Sequence, residues 1–455
     1  MDHSLKIDHI GAAGLAADGP ATDDPSRRKI SRMALTSMIG TSVEFYDFFI
    51  FATAAAIVFP AIFFPEDVSP LVGLISSFST FAIGFFARPV GGAVFGHFGD
   101  RLGRKRMLVL AMLMMGIATT VIGLLPTYQT IGIAAPILLI LLRLIQGFAL
   151  GGQWGGAVLI IIEDAPKERR GWYGAFAQAG APFGTILANL AFIIVSTATS
   201  PEDFIAWGWR IPFLSSVVLI GVSLFVQHGV EETATFTAQS EAPRERRRSP
   251  LLDALRDHPL SILIAAGVFI GMQTSYYLLV SFSLAFGTNP AGGGMTKTVM
   301  LIAVLMGAVV MSAGVFAGGW ASDRFGRQKI VGYSAALLTL WSLIEFPLIT
   351  VGTLPAAALA LCVGQFFNGM IFGPLAAFYA ESFPTSVRYS GMSLSYQIGT
   401  LVGGALAPLI ATALFAHYES AWPISFYAAG MCTVSVIAAW LMPRISAHQG
   451  KGATP

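Results

Sequence analysis

Glu44 and Asp47 lie three residues apart in the mostly apolar run 33–59, so in a helix they project from one face. An ionisable group there costs at least about 2.5 kcal/mol unless it is paired, hydrated or protonated, and such groups mark ion or proton paths. The two acids are therefore expected to carry or gate a proton. Arg88 precedes a charged loop at Asp100 by about 18 Å of helix, which puts it at the depth of Glu44. A carboxylate that meets and leaves a guanidinium in low dielectric alternately releases and takes up a proton. A permanent bridge between Arg88 and the acids, fixing helix packing, is the structural alternative. Arg143 lies deep within the run 132–162, with Gln146 nearly one turn away. Its planar, permanently charged fork suits either tuning of a nearby acid, the favoured role, or bidentate contact with a carboxylate ligand.

Other polar side chains fall at similar depths: Tyr46, Gln153, Gln178, Gln273, Tyr276, Tyr277, Asn368, Tyr396 and Gln397. With Gln146 they are candidates for lining a midplane cavity that takes a small polar ligand. Each serves equally well as an interhelical hydrogen-bond partner, worth about 0.6 kcal/mol on average. Glu345 is a further acid in an apolar run, 330–352, and no motif assigns it a role.

The elements that must hold these residues follow from composition. The chain has 455 residues, 55% hydrophobic and only 11% charged, against roughly a quarter charged in soluble domains. Runs of about 20 or more apolar residues suffice to cross a bilayer as helices. They fall at 33–59, 70–96, 107–126, 132–162, 171–198 and 208–229, then at 259–287, 296–320, 330–352, 354–380, 390–416 and 422–443. The division expected is a tail at 1–28, a first half at 29–230, a polar linker at 231–258, a second half at 259–445 and a tail at 446–455. The first run is too long for a signal-peptide core, so no cleaved leader is expected.

Of 27 Lys and Arg residues, all but Arg88, Arg143, Arg210 and Lys297 fall in the N-terminal segment, alternate loops or the C-terminal tail. Basic residues stay on the cytoplasmic side, so both termini are expected there. The net charge of +2 is then a topology signal, and no nucleic-acid partner is read from it. Cys362 and Cys432 lie in separate runs without metal-ligand spacing and are read as packing residues. Glycine runs such as Gly91-Gly92 sit in apolar spans without the strand and lysine of a nucleotide loop, so ATP binding is excluded.

An internal repeat joins the halves. Gly96, Asp100, Arg101, Gly103 and Arg104 recur as Gly319, Asp323, Arg324, Gly326 and Arg327 at a constant offset of 223. Glu163, Pro166 and Arg170 recur as Glu381, Pro384 and Arg388 at an offset of 218. Repetition of loop chemistry and helix number implies a duplicated six-helix unit. The charged loop residues suit a latch of carboxylate–guanidinium contacts at the basic face, with static loop folding as the alternative. The echo of Arg143 to Gly147 at Gln365 to Gly369 has lost its arginine, which marks Arg143 as specialised.

The loop from Gly96 to Lys105 resembles the signature of the major facilitator superfamily. Gly40 to Phe49, Arg88 to His97 and Trp207 to Phe213 are similar to its metabolite:proton symporter branch, with shikimate transporters the nearest likeness through Gly96 to Met107 and Ala135 to Leu139. The resemblance covers 30–445. It implies an all-α membrane protein of twelve transmembrane helices in two six-helix bundles, monomeric, in a bacterial inner membrane. It further implies proton-coupled uptake of a small polar metabolite, an organic acid such as shikimate, with no cofactor beyond the proton. A proton antiporter exporting a metabolite or drug is the alternative, ahead of a membrane enzyme or a non-transporting receptor. One departure stands out: the branch has Gly-Gly-Glu-aromatic-Gly-Gly in the fourth span, whereas here Gln153 replaces the acid.

Overall fold

In lipid every backbone N–H and C=O must be satisfied within the chain, and apolar runs of this length meet that demand as helices. The structure, a computed structural model, describes residues 25–65, 67–102, 104–151, 158, 161–221, 250–384 and 387–451. Among these there is no β-strand. The long helices are α1 (Pro25–Ile57), α2 (Pro70–Leu102), α3 (Arg104–Leu124), α4 (Ala134–Leu150), α5 (Arg170–Ala198) and α6 (Pro201–Gly221), then α7 (Pro259–Thr288), α8 (Lys297–Phe325), α9 (Arg327–Ile349), α10 (Leu354–Ser382), α11 (Arg388–Tyr418) and α12 (Trp422–Lys451). Among the described residues nine helices are long and apolar enough to cross a membrane, and α3 and α4 add shorter apolar stretches. In α1, Glu44 and Asp47 dilute the run.

Helix bounds differ from the sequence reading at three places. Helix α1 starts at Pro25, inside the segment assigned to the tail. The continuation expected beyond α4, including Gln153, lies outside the described residues. The linker is not wholly irregular: Pro250–Asp257 is helical, with Ala254 buried against the start of α11. Proline suits a first helical turn, where its missing N–H is not needed.

Close helix approach depends on residues without a side chain. A Cβ on Gly147 of α4 would lie 1.9 Å from the Gly84 carbonyl of α2, and one on Gly373 of α10 would lie 2.0 Å from the Val315 carbonyl of α8. The halves meet where α5 packs on α8 and α10, and where α1 and α2 meet α7 and α11. Two of these inner helices carry π-helical turns, Leu278–Phe282 in α7 and Thr400–Ala405 in α11. Such turns weaken the regular ladder and recur at functional positions.

Candidate functional site

An aromatic cluster joins α1, α2 and α7 at the centre. The Phe48 ring lies 5.2 Å from Phe81, 5.4 Å from Phe85 and 6.1 Å from Tyr277. Two guanidinium groups stack on it. Arg88 stands 4.2 Å from the Phe85 ring and 4.6 Å from Phe48, and Arg143 stands 4.2 Å from Phe51 and 4.4 Å from Phe48. Guanidinium–ring contacts of this kind are worth about 2 kcal/mol when desolvated. They explain how the rings hold two like charges without expelling them.

Both arginines are almost fully buried, Arg88 at 3% exposure and Arg143 at 0%. Arg88 meets the Tyr277 hydroxyl of α7 and faces Tyr396 of α11, while its Nε and Nη2 have no hydrogen-bond partner. Arg143 donates from Nη1 to Gln146 Oε1 at 3.1 Å, and its Nη2 has no partner. Gln146 in turn donates to Thr119 Oγ1 of α3 at 2.8 Å. Thr119 and Ser216 of α6 flank Asp47, which is 3% exposed and whose Oδ1 has no partner. A short polar chain thus runs from Arg143 through Gln146 and Thr119 to Asp47.

The expected bridge from Arg88 to the acids of α1 is not formed. The Phe48 ring takes the Arg88 guanidinium, whose polar neighbours are tyrosines of the other half, while Asp47 turns toward α3 and α6. Glu44, half-buried, lies close enough to Asp47 for the two carboxyls to repel.

The polar candidates divide by what they touch. Tyr276 bonds Thr185 of α5 across the halves at 2.9 Å. Gln178 donates to the Phe372 carbonyl of α10 at 3.2 Å, and Gln397 to the Gly151 carbonyl at 3.3 Å, both also across the halves. Gln273 donates to Thr400 at 3.2 Å, and Asn368 to Ser275 at 3.1 Å, leaving Asn368 Oδ1 without a partner. Tyr396 packs on Phe269. Tyr46 stands apart: its hydroxyl donates to the Pro212 carbonyl at 2.8 Å and meets Ser215, anchoring α6 to α1 instead of facing the other half.

At the basic face the second repeat makes a cross-half clasp. Asp323 accepts from the backbone N–H groups of Gly171 and Trp172, each at 2.8 Å, so it caps α5. A carboxylate suits a helix N-terminus because free N–H groups and the helix dipole converge there. Arg327 pairs with Asp323 at 3.1 Å and with Glu381, and donates to the Lys167 carbonyl at 3.4 Å. Arg324 lies instead over Trp320 and Phe325. Glu163 is exposed, and the Nε atoms of Arg170 and Arg388 have no partner. In the first repeat the side chains of Asp100, Arg101 and Arg104 lie outside the described residues.

Thr119, Ser216, Thr185 and Phe48 were not singled out by sequence reasoning. Thr119-Thr120 and Ser215-Ser216 are paired hydroxyls inside apolar runs, a weak signal that was available.

Comparison with known proteins agrees with this architecture. The profile of the Major Facilitator Superfamily matches residues 38–398. The chain is 40% identical over 422 residues to the inner membrane metabolite transport protein YhjE of Escherichia coli K12, covering 92% of this chain and 95% of that one. It is 39% identical over 427 residues to the shikimate transporter of the same organism, with the same coverage. It is 30% identical over 438 residues to the proline/betaine transporter of Salmonella typhimurium LT2, covering 94% and 86%. The solved proton:xylose symporter XylE bound to 6-bromo-6-deoxy-D-glucose superposes with a TM-score of 0.70 at 18% identity, covering 92% of this chain and 96% of that one, a likeness of fold alone. The chain belongs to the major facilitator superfamily, with its twelve transmembrane helices in two six-helix bundles. It is a multi-pass membrane transporter of metabolites, not an enzyme.

Proposed function

We propose that this transporter takes up a small organic acid, shikimate or a close chemical relative, together with a proton by alternating access. The observation that carries the reading is the Arg88 and Arg143 pair: both are buried, and neither has a carboxylate partner among the described residues. Buried charge is costly unless paired, and a substrate carboxylate between the two forks supplies the missing partner. Tyr277 and Tyr396 bring hydroxyl groups from the second half to the Arg88 guanidinium, and the Tyr276 ring stands beside Tyr277. They suit the hydroxyls of a polyhydroxy acid. The 39% identity to a shikimate transporter supports the same class.

Asp47 is the proposed coupling group, with Glu44 beside it. When the carboxylate arrives, Arg143 turns toward it, its bond to Gln146 slackens, and the change reaches Asp47 through Thr119. The clasp of Asp323 and Arg327 holds the basic face shut in this arrangement, and its release lets substrate and proton leave together. In the proposed orientation that face and both termini are cytoplasmic in a bacterial inner membrane, and the protein acts as a monomer with the proton as its coupling ion. Vesicles preloaded at neutral pH and shifted to an acidic exterior test the reading. Labelled shikimate should accumulate and labelled betaine should not. Accumulation of betaine, or loss of shikimate from preloaded vesicles under that gradient, contradicts uptake of an acid.

A further inference from the structure

Glu345 takes no part in the site described above. It lies near the end of α9 at Ile349, about 6 Å of helix from the face opposite the basic loops. It is 0% exposed, and neither carboxyl oxygen has a hydrogen-bond partner. Leu279 of α7 and Gly364 of α10 close over it: a Cβ on Gly364 would lie 2.7 Å from Leu279 Cδ1 and 3.0 Å from Glu345 Oε2. From α12 the titratable group that faces it is the Cys432 thiol, which is directed to the Gly271 carbonyl. Its own helix contributes Trp341 and Ser342, the latter 3.8 Å from the Cys432 sulfur. Among the described residues no cation stands against it.

A bare carboxylate in that setting would be an uncompensated buried charge, a cost that a bound proton relieves. The cover over Glu345 is not inert packing. Leu279 belongs to the π-helical turn of α7, and two residues on, Ser281 donates to the Ala52 carbonyl of α1 at 3.2 Å. One segment therefore grips the opposite half and roofs Glu345 at once. We propose that Glu345 is a second proton-binding site, loaded while α7 rests on α1 and opened to solvent when that contact parts. The transporter then carries one proton in each bundle, and this inference rests on the proton-coupled reading above.

The test compares wild type, Glu345→Gln and Leu279→Ala in proteoliposomes at zero membrane potential. With two protons per substrate, a tenfold proton gradient supports about hundredfold accumulation, and with one proton about tenfold. Glu345→Gln is expected to fall from the first value to the second while keeping substrate counterflow without a gradient. Leu279→Ala, which thins the cover, is expected to shift the pH profile of uptake, and it serves if Glu345→Gln does not fold. Accumulation in Glu345→Gln equal to wild type, or an unmoved pH profile in Leu279→Ala, overturns the second site and leaves coupling at Asp47 intact. A wild type indifferent to the gradient overturns the proton-coupled reading itself.

Discussion

Asp323→Asn should release the clasp at the basic face. Asp323 is only 10% exposed in its side chain and accepts two backbone bonds from the start of α5 while pairing with Arg327. Asparagine keeps one carbonyl oxygen and loses the charge. A hydrogen bond to a charged group is worth about 1.5–3 kcal/mol, the helix terminus adds about 0.3–1 kcal/mol, and the ion pair near the surface adds at most about 1 kcal/mol. These terms overlap, and Arg327 keeps Glu381, so the net loss is about 2–3 kcal/mol. Opening at this face then rises about 30- to 150-fold. Ala175 is buried behind the clasp, against Gly319. In a background lacking Cys362 and Cys432, Ala175→Cys reports opening through its rate of reaction with an impermeant maleimide applied to the basic face. Asp323→Asn should raise that rate and lower uptake. An unchanged labelling rate in a well-folded variant refutes the clasp.

Other outcomes follow from the same geometry. Arg143→Lys keeps the charge but loses the planar fork over Phe48 and Phe51, so uptake at low substrate should fall about 10- to 100-fold at normal expression. Wild-type kinetics would leave Arg143 a purely structural role. Asp47→Asn should lower uphill accumulation about tenfold under a tenfold proton gradient while counterflow persists, and undiminished accumulation with unaltered pH dependence moves coupling elsewhere. Gly373→Ala forces α8 and α10 apart, since its Cβ would lie 2.0 Å from a carbonyl, and should cost about 1–3 kcal/mol. Thermal unfolding in detergent reads that loss, and an unchanged midpoint contradicts the packing.

The helix plan and the clasp were legible in the sequence because both rest on local signals: apolar length, and a charged loop repeated with its partner acid. Asp323, Arg327 and Glu381 meet as the repeat implied, although the use of backbone N–H groups at α5 was not readable from side-chain types. The sequence makes Arg88 a partner of the α1 acids, and the structure gives it Phe48 and tyrosines of the other half instead. Position along a helix follows from counting residues, whereas rotation about its axis depends on packing across the fold, and here Phe48 intervenes. Tyr46 was read as lining a cavity for the same reason and binds α6. Thr119 and Ser216 escaped notice because single hydroxyls in apolar helices commonly bond their own backbone, as Thr119 does to Met115.

The most direct measurement is uptake of labelled shikimate by proteoliposomes holding purified protein, with an acidic exterior and clamped potential, for wild type and Asp47→Asn side by side. The expected result is uphill accumulation in wild type that collapses with a protonophore, and accumulation about tenfold lower in Asp47→Asn under a tenfold proton gradient. Equal, gradient-independent equilibration in both would contradict proton-coupled uptake through Asp47.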